Sequence, residues 1–351
     1  MAAEADPALQ ALFLPLQSGE PTWPRTGGAL FLNARSGWPL HQQPLPGLVC
    51  EQAFKPDVDA LQRDGQVLAA PGDDRRYPLV LVLPPRQRDA LRALFARAVA
   101  RLSPGGRVLA AMPNQEGAKT GEGDLARLAG PLHVLSKHHC RVFWSGPLDG
   151  AVDPALHQQW LDADAPRAIE DARAVGGRFT SRPGLFAWDR IDPASDLLAS
   201  HLPTDLAGRG ADLGAGWGCL ATQVLARNPG VTALDLYEAD ARALDCARTN
   251  LAPLAGSAAI DFHWHDVAAG LPAQYDFIVS NPPFHAQGRA DRPELGRAFI
   301  HAAAQALRPG GRLFLVANRH LPYEADLGAT FASVRVLAQA GGFKVFEATA
   351  R

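Results

Sequence analysis

From about residue 207 to the C-terminus, short apolar runs alternate with stretches whose apolar residues recur every three or four positions. "ADL" (211–213), "VTALDLYE" (231–238), "YDFIVS" (275–280) and "GGRLFLVAN" (310–318) have the length and density of buried strands. "GCLATQVLARN" (218–228), "ADARALDCARTNLA" (239–252) and "ELGRAFIHAAAQALR" (294–308) carry the helical spacing. Strands alternating with helices predict an α/β fold, a mostly parallel sheet with helices on both faces.

The pattern occurs twice. "YPLVLVLPPRQ" (77–87) lies over "YDFIVSNPPFH" (275–285) without a gap, at an offset of 198 residues. "ALFARAVARLSPGGRVLAAMPN" (93–114) then resembles "AFIHAAAQALRPGGRLFLVAN" (298–318), and "CRVFWSG" (140–146) resembles "FKVFEAT" (343–349). One shared Pro-Gly-Gly would be chance, but the same order over such a span predicts two copies of one α/β unit. The expected division is a degenerate first copy at 1–150, a linker with a short helix at 151–180, and a catalytic domain at 181–351. The copies differ where chemistry would sit. Leu83 and Arg86 align with Asn281 and Phe284, and "GGALFLNARSGWP" (27–39) has Leu32, Asn33 and Arg35 in place of glycines. The first copy is therefore expected to keep its fold and lack a cofactor site.

Length and composition narrow the classes. A chain of 351 residues suits two ordinary domains. No run reaches the ~18 apolar residues of a membrane helix. The N-terminus is acidic first and has no basic n-region, so no secretory signal is expected. Cys50, Cys140, Cys219 and Cys246 form no CxxC pair, which fits a reducing cytoplasm and predicts no metal site. Net charge is −2 and divides evenly, so no strongly basic nucleic-acid binder is visible in bulk. The helix "PPRQRDALRALFARAVAR" (84–101) carries Arg86, Arg88, Arg92, Arg97 and Arg101. It reads as a solvated face or as a surface that tracks phosphates.

The chemistry gathers at strand ends. "GADLGAGWGCLATQVLA" (210–226) places Gly214, Gly216 and Gly218 between a strand and a helix, where glycine lets the backbone turn tightly and approach a ligand. The loop alone also suits an ordinary strand–helix turn. Glu238 ends the next strand 20 residues past Gly218, where a carboxylate can hold ribose hydroxyls. That spacing would suit a nicotinamide cofactor too, but the loop is GxGxG around Trp217, not GxGxxG. Asp266 ends the following strand and can accept from an adenine amino group. The strand after that runs into Asn281-Pro282-Pro283-Phe284.

The set "DLGAGWG", "YEAD", "WHDV" and "SNPPFH" resembles the class I methyltransferases that use S-adenosylmethionine. The resemblance implies a seven-stranded sheet of order 3-2-1-4-5-7-6 with the last strand antiparallel. It implies that Asp212, Gly214 and Gly216 line the methionine end of the cofactor, with Gly218 completing the loop and Asn281 bordering the site. Glu238 would bind the ribose and Asp266 the adenine. The corner then has a chemical purpose. The lone pair of an exocyclic amino group is delocalised into its ring, so its hydrogens must be held and the lone pair aimed at the methyl carbon. The Asn281 oxygen and the Pro282 carbonyl can accept those hydrogens, and the two prolines hold the backbone still. Phe284 can stack the target base, worth ~1–3 kcal/mol. No general base is evident and solvent suffices; His285 reads as a structural residue or phosphate contact.

"IVSNPPFHAQG", "GGRLFLVANRHLPYEADLGATFASVRVLAQAGGFKVFEA" and "PGLFAWDRIDPASDLL" (183–198) together resemble the bacterial ribosomal RNA guanine-N2 methyltransferases. That family carries tandem methyltransferase-like domains with only the second active. "PGLF", "LPY" and "FKVFEA" lean to the small-subunit 16S enzymes and "VANRHL" to the large-subunit 23S ones; the small subunit is favoured as partner. The segment "FAWDRIDPAS" departs from the family pattern, which puts a contact to the cofactor or the RNA in doubt there. A glutamine amide in a protein, or a non-catalytic RNA-binding assembly factor, remain as alternatives. A monomer is expected, since the duplication already supplies a second domain.

Overall fold

In a computed structural model, which describes residues 6–256, 258–283 and 293–351, the chain divides into two units, Met1–Ala165 and Pro166–Arg351. The first holds β1 (Ala29–Leu32), β2 (Leu48–Glu51), β3 (Tyr77–Val82), β4 (Leu102–Pro113), β5 (Leu132–Lys137) and β6 (Cys140–Ser145). They lie in the order β2-β1-β3-β4-β6-β5. The first four pair in parallel, and β6 runs antiparallel to β4 and β5. Both faces of β3 are buried, which is why it reads as a continuous apolar run. Val80 and Val82 join Phe95 and Phe143 on one face, while Leu79 and Leu81 join Phe13 and Phe31 on the other.

The arginine-bearing helix, Arg88–Ala100, buries Leu91, Phe95 and Val99. Its charged stripe is turned on its own domain. Arg88 and Arg92 both pair with Asp124, which is only 3% exposed. Arg97 pairs with Glu51, and Arg92 and Arg127 both lie over the Trp160 ring.

The stretch 151–180 is shared between the units and does not form a free linker. Helix Pro154–Asp162 buries Leu156 and Trp160 in the first core, and the His157 ring meets the Ala96 carbonyl at 2.9 Å. β7 (Arg167–Glu170) and β8 (Arg178–Ser181) form an antiparallel hairpin in the second unit. Phe179 packs there against Trp217, and the Asn250 amide exchanges hydrogen bonds with both backbone groups of Thr180. Pairing across such sequence distances is what a linear reading of this stretch missed.

The second unit holds β9 (Ala207–Leu213), β10 (Gly230–Glu238), β11 (Ala259–Trp264), β12 (Tyr275–Ser280), β13 (Leu307–Asn318), β14 (Ser333–Ala340) and β15 (Phe343–Thr349). Their order is β11-β10-β9-β12-β13-β15-β14, with β15 antiparallel to both neighbours. Numbered within the unit this is 3-2-1-4-5-7-6, as expected. The first unit, numbered the same way, is 2-1-4-5-7-6. Its missing third strand survives as a parallel bridge between Cys50 and Leu68. The two sheets also share a register shift at the Pro-Gly-Gly turns, between Tyr77 and Leu79 and between Tyr275 and Phe277. Gly105 and Gly310 take φ of 73° and 77° there, a left-handed backbone that glycine adopts without strain.

Candidate active site

β9 is the pivot of the second sheet. Leu213 is in register with Tyr237 of β10 on one side and with Ser280 of β12 on the other. The chain leaves β9 towards one edge of the sheet and later builds β12 towards the opposite edge, so a crevice opens at the carboxyl ends of these strands. Asp212, the glycine loop, Glu238 and Asn281 all come from strand ends at this corner.

Each loop glycine answers a different need. Gly214 (φ 70°) faces β12: an added Cβ would stand 3.3 Å from the Phe299 ring and 3.8 Å from the Asn281 carbonyl oxygen. Gly216 (φ 55°) would meet nothing within 4 Å, so here the backbone conformation and open space are at stake. Gly218 (φ 86°) would press on Ala247 and Leu251 at 3.2 Å, and it caps helix Cys219–Arg227. The Gly214 and Ala215 N–H groups donate to the Tyr237 carbonyl at 2.9 and 3.1 Å, pinning the loop to β10.

Three carboxylates follow. Asp212 is fully buried; Oδ2 accepts from the Ala221 N–H at 3.1 Å, while buried Oδ1 has no partner among the described residues. Desolvation pushes its pKa up to about 7; the Ala221 N–H opposes this and the Glu238 charge adds to it. Glu238 accepts from the Gly216 N–H through Oε2 and from the Asp240 N–H through Oε1, both at 2.8 Å. Burial raises its pKa as well. The carboxylate keeps acceptor capacity for a further donor. Asp266 caps the short turn Val267–Ala269, accepting from the Ala268 N–H at 2.9 Å. A ligand carrying an ammonium, a vicinal diol and an amino-substituted heterocycle would meet the unmet acceptors of this corner in turn, so S-adenosylmethionine fits the residues present.

Asn281 closes the opposite wall. Its Nδ2 donates to Asp192 Oδ2 at 2.9 Å and to Ser195 Oγ at 2.8 Å. The carboxylate of Asp192 only accepts, which fixes the amide orientation and leaves Asn281 Oδ1 as the acceptor on the other side. Ser280 Oγ donates to the Leu213 carbonyl at 2.8 Å and ties this strand end to β9. Pro282 is buried and Pro283 exposed. Phe284 and His285 lie outside the described residues. Asp192 and Ser195 were not foreseen as neighbours of Asn281. "DPAS" signals a helix start, and nothing in it points to a partner 86 to 89 residues away. Trp217 of the glycine loop also reaches this segment, its indole N–H donating to the Phe186 carbonyl at 3.3 Å.

In the matching corner of the first unit, polar side chains bond to nearby backbone groups. Leu32 is in register with Glu51 and Val82, so Asn33, Gln52 and Leu83 stand where the second unit has Gly214, Glu238 and Asn281. Asn33 takes φ 54° and its Nδ2 donates to the Leu83 carbonyl at 2.7 Å. Gln52 donates to the Ala34 carbonyl at 2.8 Å and accepts from the Ala53 and Phe54 N–H groups.

Comparison with known proteins matches this geometry. The methyltransferase small domain family model covers residues 176–347. Ribosomal RNA small subunit methyltransferase C of Psychromonas ingrahamii is 28% identical over 275 residues, covering 78% of this chain and 76% of that protein. The protein of the same name from Shewanella sp. (strain MR-4) is 30% identical over 277 residues, 77% of each chain. The chain belongs to the ribosomal RNA small subunit methyltransferase C family. Among solved structures, the T. thermophilus 16S rRNA N2 G1207 methyltransferase (RsmC) in complex with AdoMet and guanosine is 26% identical with a TM-score of 0.81, over 99% of this chain and 92% of that one. The family likeness thus extends over both units, whereas the small-domain model stops within the second. Among the described residues no helix is long and apolar enough to cross a membrane, and no group of three or more His, Cys, Asp or Glu is placed to hold a metal ion.

Proposed function

We propose that this protein transfers a methyl group from S-adenosylmethionine to the exocyclic N2 of a guanine in 16S ribosomal RNA. The observation that carries it is the Asn281 amide, whose nitrogen is committed to Asp192 and Ser195 and whose oxygen is left as an acceptor beside the glycine loop. The likeness to RsmC with AdoMet and guanosine, and to relatives named for the small subunit, selects the base and the RNA.

The bound cofactor supplies a methyl carbon already activated by its sulfonium. Asp212 offers its unpartnered oxygen to the ammonium, Glu238 its spare lone pairs to the ribose hydroxyls, and Asp266 its carboxylate to the adenine amino group. Gly214 and Gly216 keep the backbone low enough for that approach, and Gly218 starts the helix behind it. Asn281 Oδ1 and the Pro282 carbonyl accept the two N2 hydrogens, turning the nitrogen lone pair out of conjugation, and Phe284 stacks the guanine. As the N–C bond forms the C–S bond breaks, and the surplus proton on N2 leaves to solvent. Catalysis is positioning and electrostatics.

The first unit takes no cofactor in this proposal, since Asn33 and Gln52 satisfy the corner that Gly214 and Glu238 leave open. It stabilises the active unit and helps hold the RNA. The Arg88–Ala100 helix spends Arg88 and Arg92 on Asp124 and Arg97 on Glu51, all within the first unit. The chain acts as a monomer in the cytoplasm.

The test is radiolabelled methyl transfer to 30S subunits, naked 16S RNA and naked 23S RNA from cells lacking the gene, with Asn281→Ala as control. Label confined to 16S RNA, recovered as N2-methylguanosine and lost in the control, is expected. Label in 23S RNA would move the substrate to the large subunit. No label in any RNA despite cofactor binding would sink the ribosomal proposal.

A further inference from the structure

We propose that Asp192 is a positioning residue that selects which end of the Asn281 amide faces the substrate. This rests on the proposal that Asn281 Oδ1 accepts from the guanine amine. The two ends of a side-chain amide have nearly the same shape, and a half-turn about Cβ–Cγ exchanges them. In the wrong orientation an NH2 group would meet the substrate NH2 group, donor against donor. Something must therefore distinguish the ends. Asp192 Oδ2, 2.9 Å from Asn281 Nδ2, would then face the amide oxygen, acceptor against acceptor. Ser195 Oγ accepts from the same nitrogen at 2.8 Å. Its hydroxyl could donate to the oxygen of a flipped amide, whereas the Asp192 carboxylate only accepts, so the carboxylate is what tells the two ends apart.

The selector is itself fixed. Asp192 is the N-cap of helix Pro193–His201, and the same Oδ2 accepts from the Ser195 N–H at 2.9 Å. Pro193 at the first helical position sets the entry geometry. Ala194 and Leu198 bury the helix against Phe277, Val279 and Phe314 of the central strands. One carboxylate oxygen thus joins a helix terminus docked on the sheet to the side chain that must be oriented. This also gives a purpose to the Asp-Pro-Ala-Ser segment.

Capping and positioning separate by substitution. Serine caps a helix about as well as aspartate, but its shorter side chain does not reach Asn281. Asparagine keeps an acceptor oxygen at the same place without the charge. Asp192→Ser is expected to lower kcat roughly 10- to 100-fold, with an unchanged melting temperature and an unchanged calorimetric Kd for S-adenosylmethionine. Asp192→Asn is expected to stay within about threefold of wild-type kcat. Undiminished kcat in Asp192→Ser overturns the inference, and so does a loss in Asp192→Asn equal to that in Asp192→Ser, since the charge would then be what matters. Should Asp192→Ser fail to fold, Asp192→Thr likewise keeps a capping hydroxyl that stops short of Asn281. A fall in kcat of the same size is expected there, and undiminished kcat overturns the inference. Asn281→Ala measured alongside keeps the two ideas apart: if it retains full kcat, the acceptor role of Asn281 fails first.

Discussion

Asp212 offers a test in which stability and binding should move in opposite directions. Its carboxylate is fully buried, has one backbone donor, and is pushed up to about 7 from an ordinary value of 3.8. A carboxylate with a folded-state pKa above its unfolded one holds its proton more tightly when folded. Its contribution to stability is therefore full below the unfolded pKa and is lost as pH rises through the folded one. A rise from 3.8 to about 7 is worth roughly 4 kcal/mol once complete. About 2–3 kcal/mol of it falls between pH 5 and pH 8. Asp212→Asn keeps an acceptor for the Ala221 N–H and removes the charge. The apoprotein of the variant should gain on wild type by that amount between pH 5 and 8. Urea denaturation of the full chain, followed by tryptophan fluorescence with buried Trp217 as a local reporter, measures the difference. Calorimetry with S-adenosylmethionine supplies the other half. Wild-type affinity should rise with pH as Asp212 ionises, and that of the variant should be at least tenfold weaker and flat with pH. An equal stability difference at both pH values would refute the buried-charge argument. Undiminished binding would refute the role of the orphan oxygen.

Two further outcomes follow from the same structure. Gly214→Ala forces a side chain into a left-handed backbone, at about 1–2 kcal/mol, with its Cβ 3.3 Å from Phe299; calorimetry should show S-adenosylmethionine binding lost while the fold persists by circular dichroism. Asp124→Asn should destabilise the first unit by about 2 kcal/mol, read as a lower melting temperature. Burial raises the Asp124 pKa, but the Arg88 and Arg92 hydrogen bonds outweigh it and hold it below the usual range. The stabilisation is thus present above the unfolded value near 4 and lost as pH falls below it; the gap between variant and wild type should close in acid.

The placement of the candidate site was legible where its residues sit at strand ends in a fixed order. Gly214, Glu238 and Asn281 each end or follow an apolar run, and a sheet of this order brings successive strand ends to one edge. The correspondence of Leu83 with Asn281 was likewise readable from the gapless repeat, and the register of Leu32 with Val82 and of Leu213 with Ser280 matches it. The arginines of the Arg88–Ala100 helix were less legible. Their spacing shows that they share a face, but only packing shows that Asp124 lies under it.

The sequence by itself thus determined the alternation of elements, the duplication and the strand-end residues, because periodicity and strand termination are local properties written within a few positions. The tertiary structure alone decided that Asp192 and Ser195 hold the Asn281 amide, that Asn33 and Gln52 bond to backbone carbonyls at the corner of the first unit, and that 151–180 is divided between two cores. Each of these depends on which polar groups the packed backbone brings within hydrogen-bond reach. Such partners carry no mark of one another in the linear chain.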